Sequence, residues 1–376
     1  MIDFSEESNR NSLDRKEMIS PKHENDQTTN KHSPISDDTA IVLDTGSSGC
    51  RAGFANEDAP TFVTKFEEES SPIHFGHIVD NDKLIEEWMK ALSHLELVYS
   101  EYPLMITTPT PISRRELEAL VQNAFEVFKV PAMLPFDQSV LSLYSAGKVS
   151  GLLLDCGHEL TSSVPIVEGK IYHPGVVTSQ LGGEDVTKCL EGLLGRQSFL
   201  GDIKEKACRV LITPNCQNNG QKLEFTLPNG EVILMGEERY EGPEILFTPE
   251  LLKQNPAPLS IQETVYLTMQ KCDAENRKML YENVVLTGGS SMFPNFGTRL
   301  RKCLEILSPS ETKIKMDDTH AAGRYMAWVG GSMVASTNPK IPWITKQDYS
   351  EHGAAIVHKL DLMRKSQRFT GKEKNN

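Results

Sequence analysis

The chain has 376 residues, 38% hydrophobic and 24% charged, which is enough apolar material for one large domain or two to three smaller ones. Its formal net charge of −13 opposes direct binding to nucleic acid or to an anionic membrane surface. No apolar run approaches the ~20 residues that span a bilayer, and the first residues lack the apolar core of a secretory signal, so the cytoplasm is the expected compartment and the nucleus the alternative. The seven cysteines (Cys50, Cys156, Cys189, Cys208, Cys216, Cys272 and Cys303) are scattered, odd in number and form no C-x-x-C pair. Reduced thiols are expected, not a disulfide framework or a zinc site.

In chain order, residues 1–38 are rich in Ser, Asn, Lys, Glu and Asp and read as a disordered arm. Ala40–Leu43 and Cys50–Ala55 read as two strands around a Gly/Ser turn. Leu104–Thr107 is a further strand. Ser113 and Glu116 have the spacing of a capping box, and Leu117, Leu120, Val121, Ala124, Phe125 and Phe128 follow on one helical face. Val140–Ala146 is predicted helical and Gly151–Leu154 is an all-apolar strand. Ser163–Val167 is a strand, and Asp185–Leu194 and Ile261–Met269 are helices. Val284–Leu286 is a strand running into Thr287-Gly288-Gly289-Ser290-Ser291, and Arg324–Ser336 is a helix containing glycines. The end of the chain, 363–376, is basic through Arg364, Lys365, Arg368, Lys372 and Lys374 and reads as a solvated tail. Alternating strands and helices predict a layered α/β architecture.

One motif occurs twice. Ile41-Val42-Leu43-Asp44-Thr45-Gly46 is echoed by Leu152-Leu153-Leu154-Asp155-Cys156-Gly157, each followed by a turn and a second strand. The repeat predicts two related halves facing one another across a cleft. Asp44-Thr45-Gly46-Ser47 is also the signature of an aspartic protease, whose paired carboxylates share a proton. That chemistry needs a small hydroxyl residue after each Asp-x-Gly, and the second copy continues Gly157-His158 instead. Arg51, close behind the first acid, suits a phosphate site better than a protease dyad. Two hairpin turns presenting backbone N–H groups can clasp a polyphosphate, with Asp44 and Asp155 holding a hydrated Mg²⁺.

The chain resembles the actin-related proteins from about Ala40 to His358. The resemblance is carried by Asp44 to Ala55 and by Pro131-Ala132-Met133 with Gln138 to Gly147. It continues in Asp202 to Lys206, Leu286 to Pro294, Trp328 to Ser332 and Trp343 to Tyr349, all in family order. It implies an actin-like duplicated ATPase fold of two facing α/β halves. Subdomain 1 would comprise 39–150 plus 325–362, and subdomain 3 would comprise 151–190 plus 255–324. A shortened subdomain 4 would occupy 191–254, and the small upper subdomain 2 would be largely deleted, leaving 61–71 as a remnant.

By position, the resemblance assigns Gly46, Ser47, Ser48, Arg51 (where the family has Lys) and Gly157 to the nucleotide phosphates. It places Gly183, Lys204, Glu205, Gly289, Ser290, Met292 and Arg324 around the nucleotide, which would be ATP or ADP with Mg²⁺. Gln138 matches the residue that positions the attacking water. The second loop departs from the family's Asp-x-Gly-Asp-Gly pattern: His158 replaces the second Asp, Glu159 the second Gly, and Ser162 a nearby His. Losing an outer-shell partner of a metal costs ~10–100-fold in affinity or activity, and Ser162 cannot act as a base, so hydrolysis is expected to be slow or lost. Glu159 is expected to turn away from any bound phosphate, since like charges ~4 Å apart repel by about 4 kcal/mol at an effective dielectric of ~20.

Without the inserting loop of subdomain 2, homofilaments are not expected. Tyr144, Val329, Met333, Val334 and Thr337 match a lower cleft that receives amphipathic helices. The resemblance therefore implies a structural or adaptor role in a cytoskeletal assembly, with cytoskeletal or other actin-family partners. The alternatives are a subunit of a chromatin-remodelling complex or an active actin-type ATPase.

Overall fold

The computed structural model describes residues 39–66, 70–214, 222–317, 323–337 and 342–359. The arm at 1–38 and the tail at 363–376 lie outside them.

The first half opens on β1 (Ile41–Gly46) and β2 (Gly49–Phe54), antiparallel, with Asp44 opposite Arg51 and Gly46 opposite Gly49. The first strand runs through Asp44-Thr45-Gly46, beyond its expected end at Leu43, and leaves Ser47 and Ser48 as the turn. Phe62–Lys65, expected only as part of a remnant at 61–71, forms β3 and adds to the edge of β2. A Cβ on Gly49 would lie 2.0 Å from the Thr64 carbonyl oxygen, so β3 reaches the hairpin only because residue 49 has no side chain.

A two-residue-per-strand hairpin follows, β4 (Ile73–His74) and β5 (His77–Ile78). Asp80 then caps α1 (Asn81–His94), accepting from the Lys83 N–H. Leu84, Trp88, Ala91 and Leu92 make its buried face. β6 (Leu104–Thr108) lies parallel to β1.

The capping box at Ser113 and Glu116 opens α2 (Arg114–Gln122). The helical face expected to run to Phe128 is not one α-helix: Asn123–Val127 is a π-helical turn, closed by Phe128 N–H to the Asn123 carbonyl at 3.0 Å. Buried Asn123 exchanges two side-chain hydrogen bonds with Asn81, and that pairing holds the extra residue in place. β7 (Ala132–Asp137) is parallel to β6, and α3 (Gln138–Ser145) follows at once, capped by the Asp137 carboxylate.

The second half repeats the plan. β8 (Gly151–Cys156) and β9 (Thr161–Val167) form the hairpin, and β10 (Lys170–Ile171) and β11 (Val177–Ser179) both pair with β9. Next come α4 (Gly183–Leu194), α5 (Leu200–Lys206), the hairpin β12 (Leu223–Thr226) with β13 (Val232–Met235), and α6 (Glu238–Glu244). α7 (Ile261–Lys271) starts on a second capping box, Ser260 with Glu263, and is followed by α8 (Ala274–Tyr281). β14 (Val284–Thr287) lies parallel to β8, and beyond α9 (Phe296–Leu307), β15 (Met316–Asp317) lies parallel to β14. The chain then returns to the first half as α10 (Met326–Thr337), β16 (Ile344–Thr345) against β7, and α11 (Lys346–His352).

The sheet orders are β16-β7-β6-β1-β2-β3 and β10-β9-β8-β14-β15. In both, an antiparallel Asp-bearing hairpin stands beside parallel strands, so the sequence repeat is a repeat of topology. Helices α3 and α10 join the two sheets: Val140, Leu143 and Met326 pack with Leu153, Val164 and Val285, while Trp328 packs with Val42, Met105 and Leu134. The glycines of α10 serve this contact, since a Cβ on Gly330 would lie 2.0 Å from the Leu141 carbonyl oxygen. Among the described residues, no helix is long and apolar enough to cross a membrane.

Candidate functional site

The two hairpin turns put their acids at the ends of β1 and β8, beside the carboxyl ends of parallel strands, where open α/β sheets collect ligand-binding residues. Asp44 is buried. Its Oδ1 accepts from Thr107 Oγ1 at 2.6 Å and Gln138 Nε2 at 3.0 Å, and its Oδ2 lies 3.6 Å from Arg51 Nη1. Gln138 also reaches the Thr45 carbonyl at 3.2 Å and Thr107 Oγ1 at 3.0 Å. The amide nitrogen of the residue expected to position a water is thus committed to the first hairpin and Thr107. Thr107 was not expected at the site, and its position at the end of β6, parallel to β1, is the signal that identifies it.

Arg51 leans over the first turn. Its Nη2 is 3.5 Å from Ser48 Oγ and its Nη1 is 3.5 Å from the Gly49 carbonyl, both long contacts. A Cβ on Gly46 would come within 3.9 Å of Nη1. The side chain is only 14% exposed, and its Nε has no hydrogen-bond partner. A mostly buried guanidinium with five donors and only distant acceptors is under-bonded. Ser47, half-buried at the turn, completes this group.

Asp155 is partly buried, and its carboxylate accepts no hydrogen bond from the described residues. Burial, and next the charge of Asp44, push its carboxyl up to about 6, against the pull of Arg51. The two acids therefore lie within electrostatic reach and repel one another. Two neighbouring carboxylates, one of them accepting no hydrogen bond from the described residues, are the hard oxygen ligands that a water-bridged cation takes, so the residues fit the Mg²⁺ that the resemblance implies.

The third element, Gly288 to Met292, closes on the second turn. Gly288 has φ 85, and a Cβ there would lie 2.4 Å from Asp155 Oδ1. Ser290 Oγ and the Gly183 N–H both donate to the Gly157 carbonyl, at 3.2 Å and 3.0 Å. Lys204 Nζ donates to the Gly183 carbonyl and to Thr187 Oγ1, each at 2.8 Å, and burial lowers its pKa. Gly157, Gly183, Lys204 and Ser290 thus form one contiguous group. A Cβ on Gly289 would meet nothing within 4 Å, so that backbone stands open. His158 is lowered by burial and by the nearby Lys204 charge, which favours its neutral form.

Glu205 lies apart, at the rim. It pairs with Arg324 through two hydrogen bonds of 3.2 Å and 3.0 Å and with Lys65 Nζ at 3.2 Å. Met292 is exposed beside Gly323.

Glu159 is buried, and its carboxylate meets His74 Nδ1 at 2.6 Å and the Phe75 N–H at 2.8 Å. No sequence signal marked His74 or Phe75. On α3 and α10, Tyr144, Val329 and Val334 are half-buried against the core while Met333 is 45% exposed; the Thr337 side chain lies outside the described residues.

Against models of known families, the chain matches the one described as actin over residues 64–201 and 194–360.

Proposed function

Because the chain belongs to the actin family, we propose that it binds ATP or ADP between its two hairpin turns as a structural ligand. In this reading it acts as a non-polymerising structural or adaptor component of a cytoskeletal assembly in the cytoplasm. The observation that carries the nucleotide reading is Arg51: a mostly buried guanidinium beside the Ser47–Ser48 turn whose Nε has no partner and whose one anion, Asp44, lies no closer than 3.6 Å among the described residues. Gly46, Ser47, Ser48 and Gly157 would receive the phosphates. Gly183, Lys204, Glu205, Gly289, Ser290, Met292 and Arg324 would surround the nucleoside. Asp44 and Asp155 would hold Mg²⁺ through water, and that ion, when bound, supplies neutralising charge to the phosphates.

Slow or absent hydrolysis is supported by Ser162, which cannot accept a proton near neutral pH. A lack of homofilaments is supported by the short connection between β3 and β4, residues 66–72, where the family carries a small subdomain with an inserting loop. Capping of a filament end stays compatible with this, since a terminal subunit uses one face only. Tyr144, Val329, Met333, Val334 and Thr337 would receive an amphipathic helix from a partner.

The test is to denature the purified full-length protein and measure released ADP or ATP, with a Mg-ATP thermal shift alongside. Ligand at ~100 Kd stabilises by about 2.7 kcal/mol. No released nucleotide and no shift would sink the binding reading. Phosphate release at actin-like rates would overturn the non-hydrolysing reading, and homofilaments in the pellet would overturn the assembly reading. Affinity purification with mass spectrometry separates cytoskeletal partners from those of a chromatin-remodelling complex.

A further inference from the structure

The 158–160 turn of the second half meets the β4–β5 hairpin of the first half, and among the described residues its side-chain hydrogen bonds there come from one carboxylate, Glu159. Glu159 is 6% exposed, and it faces His74 Nδ1 at 2.6 Å and the Phe75 N–H at 2.8 Å. The hairpin belongs firmly to the first half: Ile73 and Ile78 pack in that core, and the Ile78 N–H is held by Glu116 of α2 at 2.9 Å. Glu159 belongs as firmly to the second half, because its neighbours frame the start of α4. The His158 carbonyl accepts from the Glu184 N–H at 2.7 Å, and a Cβ on Gly182 would strike the His158 carbonyl oxygen at 2.3 Å. Close packing lies alongside, since a Cβ on Gly76 would be 3.7 Å from both Leu160 Cδ2 and Pro109 Cβ.

The hairpin is built at a cost. Phe75 has φ 49 and Gly76 has φ 80, the pair of positive values a type I′ turn requires. A bulky aromatic residue is disfavoured there, and the Phe75 side chain is 41% exposed, so its own burial returns little. The Phe75 N–H is the donor that Glu159 accepts, and this bond compensates the strained residue directly. Among the described residues, a second side-chain tie at the rim, Lys65 with Glu205, places Lys65 at 70% exposure, where an ion pair contributes little.

We propose that Glu159 is a latch across the cleft, holding the second hairpin turn to the His74–Phe75 turn so that the two halves stay closed without a bound ligand. The carboxylate takes over a bridging task that a ligand spanning both turns would otherwise perform. The latch does not depend on nucleotide binding, and it is tested on protein freed of nucleotide.

The experiment is hydrogen exchange with mass spectrometry on the full-length chain stripped with apyrase and chelator, comparing wild type with Glu159→Ala, Glu159→Gln and His74→Ala. Wild type should protect 73–78 and 158–162. Glu159→Ala should raise exchange in both segments together, by about tenfold or more as a charged hydrogen bond is lost, and leave β12–β13 unchanged. His74→Ala should open both segments to a smaller extent. If Glu159→Ala unfolds the whole chain, Glu159→Gln decides, since its amide oxygen keeps one acceptor and should give a smaller opening, still coupled. Unprotected segments in wild type, or a variant that opens 158–162 alone, would overturn the latch.

Discussion

Gln138 Nε2 lies 3.0 Å from Asp44 Oδ1, and that one hydrogen bond ties the start of α3 to the first hairpin. The same nitrogen also faces the Thr45 carbonyl and Thr107 Oγ1, so Gln138 satisfies a buried acid.

Gln138→Ala should therefore act on stability more than on turnover. Leaving Asp44 short of a donor costs about 1–3 kcal/mol, seen as a lower Tm, while phosphate release changes by less than about twofold from its low baseline. A drop in turnover by orders of magnitude with Tm unchanged would show that Gln138 works on a water after all.

Asp155 predicts an unusual pH dependence. Its carboxyl is raised from 3.8 to about 6, so the folded state binds more protons than the unfolded state between those values. Stability contributed by the protonated acid is then lost as pH rises through that window, on the order of 1–2 kcal/mol after solvent screening. Chelator-treated wild type should lose Tm from about pH 4 to about pH 6.5, and Asp155→Asn should flatten that slope. Added Mg²⁺ should raise Tm more near pH 7.5 than near pH 5, where protons compete for the carboxylate. An equal Mg²⁺ effect at both pH values would remove Asp155 from the metal site.

Two helical glycines should respond in opposite directions. Gly330→Ala places a methyl 2.0 Å from the Leu141 carbonyl oxygen, an overpacking that costs at least about 1–3 kcal/mol. Gly192, in α4, faces open space, and Gly192→Ala should stabilise by about 0.5–1 kcal/mol. Urea unfolding curves of the two variants check both signs at once.

Phe75→Asn tests the strained turn. Asn tolerates positive φ, and Asn-Gly is the favoured pair for a two-residue hairpin. A gain of about 0.5–1 kcal/mol is expected by thermal unfolding, with the Glu159 hydrogen bond to the residue 75 N–H retained. A loss would mean that the Phe75 ring has a packing or binding role of its own.

Much of the fold was legible in the chain because its signals are local. The capping box at Ser113 with Glu116 and the glycines at the two hairpin turns (Gly46, Gly49 and Gly157) act within a few residues. The repeat Asp44-Thr45-Gly46 and Asp155-Cys156-Gly157 predicted two related halves, and the matching sheet orders contain them. The π turn after Gln122 was not legible, because it rests on the pairing of Asn123 with Asn81, two elements away.

The sequence by itself determined the strands of both Asp-bearing hairpins, the helices that follow them, the duplication and the family, since periodicity, turn residues and motif order are written along the chain. Only the tertiary structure decided what each charge does. Arg51 is left short of acceptors beside Asp44, Glu205 is taken up by Arg324 and Lys65, and Glu159 is satisfied by residues 84 and 85 positions away in the chain. Arg51 and Asp44 face one another within a single hairpin, but the partners of Glu159 and the pair Lys65 with Glu205 meet only when the two halves come together, and a carboxylate's effect depends on the donors that burial leaves within reach.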